Sequence, residues 1–311
     1  MRKFILKTFE FLSFACLFYV VFIMIYGLVM PGRVSKNLRN FPINGFTHKM
    51  LSEVEKFEKA DILVLGSSHA NRGYDPRIFK EKKGLSLINL GTNAQTPLQT
   101  NYMFKTYGER LKPKFVILDA YHTLFASDGV ESSLDIISNG KINGHLIRMT
   151  SKVNDIRAYN ILIFNSLSKI LRIQKQTEGK NPGDTYIPGG FIQTFGVNKT
   201  LKKHKTTKLQ FSQKQFKAFE ELVNSLKKNK IKYVIVQAPV KKAYYESFDN
   251  MEELDNWLSK LGPHYNFNKI IEAPDEMYID DNHLNQTGVV YFNATLLDTL
   301  EKDHHLDLFS E

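Results

Sequence analysis

The sequence predicts an α/β protein built on a parallel sheet, and two observations support this. Five short aliphatic runs lack polar alternation, which is typical of strands that are covered on both faces. They are ILVLG (62–66), LSLINLG (85–91), KFVILDAY (114–121), KYVIVQAP (232–239) and NKIIEAP (268–274). Helical patterns lie between them, and such alternation of strand and helix is typical of one doubly wound domain.

Four segments show helical spacing of apolar residues: 96–111, 212–229, 250–262 and 285–302. The helix over 212–229 ends in lysines, which favour the negative end of a helix dipole. The helix over 250–262 begins with an Asn-x-x-Glu box and stops at Gly262. Asn285 is the expected cap of the last helix.

A long insertion, 125–209, separates the third predicted strand from the fourth. It contains one predicted helix, over 155–173, and loops rich in Gly, Pro and Asn. Insertions at the carboxyl edge of such a sheet often cover a site. Two interpretations stay open: a lid or partner surface, and a purely structural excursion.

The N-terminus predicts a membrane anchor. Residues 11–32 carry no charge, and about 22 residues at 1.5 Å each cross a hydrocarbon core of roughly 30 Å. The basic residues Arg2, Lys3 and Lys7 favour a cytoplasmic N-terminus. We therefore expect an uncleaved anchor in 1–33, a stalk over 34–58 and an extracytoplasmic α/β domain over 59–311, with the lipid bilayer contacting residues 11–32.

Composition narrows the classes of partner. The 311 residues carry a formal net charge of +10, which suits anionic polymers or lipid headgroups. No nucleic-acid motif accompanies this charge, so we expect no nucleic-acid partner. Cys16 is the single cysteine and forms no intramolecular disulfide. The sequence contains no cluster with metal-ligand spacing, and we expect no metal and no cofactor.

Two motifs predict a chemical site. The first strand ends on Ser67 and Ser68, at the edge where α/β proteins build their sites. Asp280 and His283 are separated by two residues and lie immediately before the last helix. A serine needs a base, and a carboxylate orients that base. Each motif also has a simpler interpretation, a helix cap for the serines and a polar loop for Asp280 and His283.

With these motifs the chain resembles the SGNH (GDSL-type) hydrolases, over roughly 60–122 and 230–300. The matching features are Gly-x-Ser after the first strand, Asn and Gly after the second, and Asp-x-x-His before the final helix. The resemblance implies a flavodoxin-like three-layer fold with strand order 2-1-3-4-5. It also implies acyl-ester chemistry with a catalytic triad of Ser68, Asp280 and His283.

The resemblance is looser at the oxyanion hole. One implied donor is the amide of Ser68, and the second is the amide of either Gly91 or Ala94. The family's third donor is an asparagine after the third strand, where this chain has LDAYHTLF (118–125). Either His122 or Asn93 substitutes, or the protein is slow, or a partner completes the site. His69 and Asn93 are candidate substrate contacts, although the preferred interpretation of His69 is a partly exposed side chain at a helix start.

The sequence thus predicts a membrane-anchored serine esterase or O-acyltransferase acting on a cell-envelope polymer. The resemblance implies an acylated envelope polymer or glycan as substrate, and a multispanning membrane O-acyltransferase as partner, a theme related to D-alanyl transfer. The alternative is an accessory protein with the SGNH fold that binds polymer or partner without turnover.

Overall fold

The computed structural model describes residues 1–29, 45–173, 183–197 and 204–309. Its strands are β1 (Ile62–Leu65), β2 (Leu87–Asn89), β3 (Phe115–Asp119), β4 (Asp184–Ile187), β5 (Phe191–Thr194), β6 (Lys232–Gln237) and β7 (His264–Asn266). Its α-helices are α1 (Arg2–Val29), α2 (Phe46–Val54), α3 (Ser68–Gly73), α4 (Pro76–Lys83), α5 (Pro97–Met103), α6 (Val130–Asn139), α7 (Gly144–Val153), α8 (Ile156–Ile170), α9 (Gln213–Lys228), α10 (Lys242–Tyr245), α11 (Met251–Leu261), α12 (Phe267–Ile270) and α13 (Gln286–Lys302). Short 3₁₀ turns and one π-helical turn, Phe104–Gly108, complete the described chain.

The central sheet confirms the predicted fold. Its order is β2-β1-β3-β6-β7 with every pair parallel, which is the order 2-1-3-4-5 expected of a flavodoxin-like sheet. Alternate residues of each strand face opposite sides. Leu63 and Leu65 pack against α5 and α9, whereas Ile62 and Val64 pack against α4 and α13. The sheet is therefore covered on both faces, which explains its unbroken aliphatic runs.

The fifth strand lies earlier than the sequence predicts. Residues 268–274 do not form it: α12 occupies part of this range, and His264–Asn266 pairs with β6 instead. The side chain of Asn266 accepts a hydrogen bond from the Asn268 amide and begins the helical turn. Because β7 is at the edge of the sheet, it tolerates polar residues that an aliphatic pattern does not detect.

The insertion contains more structure than the single predicted helix. Helices α6, α7 and α8 pack on the core of the domain, and a hairpin of β4 and β5 follows them. Part of the expected stalk also belongs to this core, because α2 buries Met50, Leu51 and Val54. Residues 34–44 of the expected stalk lie outside the described residues.

Helix α1 has the length and apolar composition of a membrane-spanning helix, alone among the described residues. Most of its surface is exposed. Its C-terminal half contacts α8: Ile23 is buried, and the Tyr19 hydroxyl donates a hydrogen bond to Asn160 Oδ1 at 2.7 Å. The apolar helix is thus attached to the insertion.

Candidate active site

The turn after β1 gives its two serines different roles. Ser67 is the N-cap of α3, and its Oγ accepts a hydrogen bond from the His69 amide at 3.2 Å. Ser68 is the first residue of the helix, and its Oγ lies 2.8 Å from His283 Nε2. The cap and the candidate nucleophile are therefore adjacent residues: the cap interpretation applies to Ser67, and Ser68 stays the candidate nucleophile.

A tight loop before α13 holds His283 and Asp280. The His283 carbonyl accepts a hydrogen bond from the Ile279 amide at 2.9 Å, which closes the loop. Asp280 Oδ2 lies 2.8 Å from His283 Nδ1, while Oδ1 accepts the amides of Asn282 and His283. The carboxylate thus binds both the ring and the backbone of the histidine.

These hydrogen bonds decide the electrostatics of the group. Burial by itself would raise the pKa of Asp280, but the hydrogen bonds and charge of His283, with the Asn282 amide, more than offset it and lower the pKa to about 2. Asp280 is therefore ionised at neutral pH. A carboxylate at Nδ1 keeps the proton on that nitrogen, which leaves Nε2 to accept the Ser68 hydroxyl proton. The geometry has the form of a nucleophile, a base and an orienting acid.

His69 lies beside this group and is buried, unlike an ordinary residue at a helix start. Its ring stacks on Tyr121 with centroids 3.6 Å apart, and it lies 5.3 Å from the ring of His283. Burial, with the nearby charges of His283 and His122, lowers the pKa of His69 well below its usual value. His69 is thus a neutral polar side chain, and its Nε2 has no hydrogen-bond partner among the described residues.

Tyr121 occupies the region where the resemblance implies an asparagine. Its hydroxyl accepts a hydrogen bond from Asn282 Nδ2 at 2.9 Å and lies 3.1 Å from the hydroxyl of Tyr244. Asn282 stands between Asp280 and His283 in sequence. It therefore ties the loop of the acid and base to the end of β3. Tyr121 is one of the residues that the sequence places where the family's asparagine is expected, but nothing in the sequence indicates Asn282, and no spacing rule indicates this pair.

Gly91 packs tightly but does not present its amide to a substrate. A Cβ at this position would lie 2.6 Å from the Ser67 carbonyl oxygen, so only glycine fits. The Gly91 amide donates to Asn89 Oδ1 at 3.0 Å. The expectation that Gly91 supplies an oxyanion donor is corrected accordingly, because this amide already has an acceptor.

The neighbouring turn leaves other amides free. Ala94 is half-buried and has φ +52°, a left-handed conformation that is costly for alanine. The amides of Ser68, Asn93 and Ala94 donate to no acceptor among the described residues. Asn93 is exposed. Ser68 and Ala94 thus remain the available backbone donors from the sequence prediction.

His122 is enclosed by aromatic rings instead of facing Ser68. Tyr121 and Phe248 lie within 5 Å of its ring centroid, and Tyr244 and Tyr245 complete the enclosure. Burial lowers the pKa of His122 to about 3, although Asp255 acts in the opposite direction. The ring is thus held by aromatic contacts, and no contact between His122 and Ser68 appears among the described residues; His122 as the replacement oxyanion donor stays a prediction.

An ion pair joins the helix of Ser68 to the hairpin of the insertion. The guanidinium of Arg72 binds both carboxylate oxygens of Asp184, at 3.0 and 2.7 Å, and also binds Thr194 Oγ1. The hairpin turn is further attached to β2, since the Asn89 amide donates to the Gly189 carbonyl at 2.8 Å. The hairpin is thus a fixed neighbour of the candidate site. Distant pairs such as Arg72 and Asp184 leave no signal in one sequence.

A buried acid lies at the end of β3. Asp119 Oδ2 accepts a hydrogen bond from the Tyr74 hydroxyl at 2.9 Å. Burial raises the pKa of Asp119 to about 7, against the opposing effect of bonds from Tyr74 and the Ala238 amide. Asp119 also packs closely on Gly66, where an added Cβ would lie 2.7 Å from Asp119 Cβ.

Six chains of solved structures match this one, and two of them are distant likenesses as follows. No protein-family profile and no curated protein sequence matches the chain. A GDSL-like lipase from Bacteroides thetaiotaomicron VPI-5482 is 13% identical, with a TM-score of 0.42, over 83% of this chain and 100% of the other. A protein provisionally described as an acylhydrolase, from Bacteroides fragilis NCTC 9343, is 13% identical with a TM-score of 0.36, over 82% and 95%. The case for function therefore depends on the geometry of the site itself.

Proposed function

We propose that this protein is a membrane-anchored serine esterase or O-acyltransferase. Its substrate would be an acyl ester of a cell-envelope polysaccharide or related polymer. The observation that carries the proposal is the continuous path of hydrogen bonds from Ser68 through His283 to Asp280, with 2.8 Å at each step. Two loops distant in sequence meet there, which a capped helix and a polar loop do not require.

In the first half of the reaction, Ser68 Oγ attacks the acyl carbonyl carbon and His283 Nε2 takes the hydroxyl proton. The ionised Asp280 stabilises the resulting imidazolium. The carbonyl oxygen becomes an oxyanion near the free amides of Ser68 and Ala94. When the intermediate collapses, the C–O bond to the leaving alcohol breaks, and His283 returns its proton to that oxygen.

In the second half, an acceptor hydroxyl attacks the acyl-serine. His283 takes its proton, and the ester bond to Ser68 Oγ breaks as the proton returns to Ser68. Water as acceptor gives hydrolysis, and a sugar or polyol hydroxyl gives transfer. The same side chains serve both outcomes, so the choice depends on which hydroxyl reaches the acyl-serine.

The attachment of α1 supports an anchor instead of a cleaved signal. A signal peptide that is removed has no reason to pack on the mature domain. Here Ile23 is buried and Tyr19 bonds to Asn160 of α8. With the basic residues at the extreme N-terminus, this favours a cytoplasmic start and an extracytoplasmic domain. The net charge of +10 suits an anionic polymer, and the apolar surface of α1 suits a multispanning acyltransferase partner.

The test is labelling of the full chain in detergent with a fluorescent fluorophosphonate. We expect wild type to label, and both Ser68→Ala and His283→Ala to lose labelling. Ser67→Ala is the matched control, since it removes a cap hydroxyl one residue away and leaves the Ser68 hydroxyl in place. Labelling that survives Ser68→Ala, or that is lost equally in Ser67→Ala and Ser68→Ala despite intact folding, would contradict the proposal.

A second candidate function is an accessory protein that binds polymer or partner without turnover. The observation that favours it is the weak oxyanion hole, because the Gly91 amide is occupied and His122 faces an aromatic cluster. Losing one oxyanion donor costs about 10²–10³ in rate. A folded wild-type chain that fails to label both in detergent and in its native membrane would favour this second function.

A further inference from the structure

A groove of about 390 Å³ lies between the end of β5 and the start of α13. Its apolar walls come from two segments, Phe195 and Val197 directly after β5, and Pro274 and Met277 before the loop of the acid and base. Phe195 is 68% exposed and Val197 is 45% exposed, so both leave apolar surface in contact with water. A concave, largely apolar space of this size is typical of a small-molecule site.

The β5 end of the groove is attached to the helix that carries Ser68. Thr194 directly precedes Phe195, and its Oγ1 accepts a hydrogen bond from the Arg72 guanidinium. Arg72 lies four residues after Ser68 in α3, which places the two residues on the same side of the helix and about 6 Å apart along its axis. The first wall of the groove is therefore held to α3 one helical turn from the candidate nucleophile.

The groove is also attached to the loop that carries His283. Asn285 Nδ2 donates hydrogen bonds to the carbonyl oxygens of Gly196 at 2.9 Å and Glu276 at 2.7 Å, so one side chain joins both walls. An antiparallel bridge at Leu284 makes the backbone extended here. In an extended backbone, side chains two residues apart point to the same side, roughly 7 Å from each other. His283 and Asn285 thus share one side, and the groove begins two residues from the candidate base.

The charges around the groove indicate what it binds. Among the described residues that line it, the only charged side chain is Glu276, which is exposed. The whole chain carries a net charge of +10, yet the described lining contains no basic residue. An anionic polymer finds no counter-charge there. A neutral aliphatic group covers Phe195 and Val197 and removes their surface from water, which is favourable.

We propose that this groove binds the aliphatic chain of the acyl group whose carbonyl carbon is bonded to Ser68. The inference rests on the proposed function, because it requires an acyl-serine. It deepens that function by naming the acyl class, an aliphatic chain longer than acetyl. Phe195 and Val197 belong to the insertion, outside the segments that resemble the SGNH hydrolases, so the insertion of this chain selects the acyl group.

The test compares hydrolysis of p-nitrophenyl butyrate and p-nitrophenyl octanoate, which differ by four methylene groups, by the full chain in detergent. The groove variants are Phe195→Asp and Val197→Asp, and because both side chains are exposed, neither change places a charge in the core. The matched control is Val290→Asp on α13, since Val290 is 47% exposed and lies outside the lining of the groove. All variants share one detergent, so partitioning of the esters into micelles affects each of them equally.

Burial of a methylene group favours binding about fourfold when it is complete and about twofold when it is half complete. Wild type should therefore have a kcat/KM for the octanoate at least about tenfold above that for the butyrate. Both groove variants should bring this ratio close to one, and Val290→Asp should keep it. A wild-type ratio near one, or a high ratio that survives in both groove variants, would overturn the inference, and fluorophosphonate labelling of Ser68 would then leave the proposed function standing. A folded chain that neither labels nor hydrolyses either ester would overturn both.

Discussion

The ion pair between Arg72 and Asp184 is expected to hold the insertion hairpin on the helix that carries Ser68. The side chains are only 14% and 12% exposed, so neither charge is well hydrated. The change Arg72→Met keeps most of the stem and removes the guanidinium. Asp184 then loses its counter-ion in a largely buried position and keeps the hydrogen bond from the Thr194 hydroxyl.

The magnitude follows from this burial. Removing one partner of a fully buried pair costs about 3–5 kcal/mol, and the remaining exposure of this pair reduces that to about 2–3 kcal/mol. The cost should appear as hairpin opening that is roughly 30- to 100-fold more frequent, since about 1.4 kcal/mol is a factor of ten. Hydrogen–deuterium exchange of β4 and β5 amides measures this directly, and we expect α13 to be unaffected. The labelling rate at Ser68 should fall in parallel.

A double-mutant cycle isolates the pair. Arg72→Met combined with Asp184→Asn should cost clearly less than the two single changes added together, because the double variant leaves no unpaired charge. The control is Lys83→Met, which breaks an exposed pair with Glu301 and should cost under about 1 kcal/mol. Additivity within about 0.5 kcal/mol, or an Arg72 variant no more affected than the Lys83 variant, would refute the reasoning.

Three further predictions concern the loops around the site. Asp280 has a pKa of about 2 in the folded protein against an ordinary 3.8, so its ionised form stabilises the fold above about pH 4. The difference in unfolding free energy between wild type and Asp280→Asn should therefore shrink as the pH falls toward 2, which acid titration of unfolding measures. Gly190→Ala should lower the thermal stability of the protein far more than Gly183→Ala. Both glycines have positive φ, but only at position 190 would the added Cβ lie 2.0 Å from a backbone atom, the Asn89 carbonyl oxygen. Ala94→Gly should leave the free energy of unfolding unchanged or raise it by up to about 1 kcal/mol, because φ +52° suits glycine. A lower free energy of unfolding would contradict backbone strain at Ala94.

The strands that carry the fold were predictable because they are buried on both faces. β1, β3 and β6 lie in the middle of the sheet, and their aliphatic runs match their observed ranges closely. The edge strand β7 was misplaced, because its polar residues need no burial on both faces. Helix α13 was predictable from its cap, and the Asn285 side chain accepts a hydrogen bond from the Gly288 amide as expected.

The candidate site divides in the same manner. Ser68, Asp280 and His283 were predictable as a group, since each stands in a short local motif beside a strand end or helix start. The roles of Gly91 and His122 were not predictable. The Gly91 amide is bound by the side chain of Asn89, a local contact that no motif indicates, and His122 lies in an aromatic cluster formed by separate segments. The burial of His69 likewise depends on Tyr121, which is distant in sequence.

The sequence by itself determined the parallel α/β fold, the long apolar N-terminal helix and the identity of three candidate catalytic side chains. These features follow from local periodicity and from motifs of a few residues, each of which can be recognised within one stretch of the chain. Only the tertiary structure decided which serine caps and which faces the histidine, which amides remain free, and where the insertion attaches. The meeting of Ser68 with His283 and the attachment of the insertion depend on hydrogen bonds between segments more than a hundred residues apart, as between Arg72 and Asp184 or Tyr19 and Asn160.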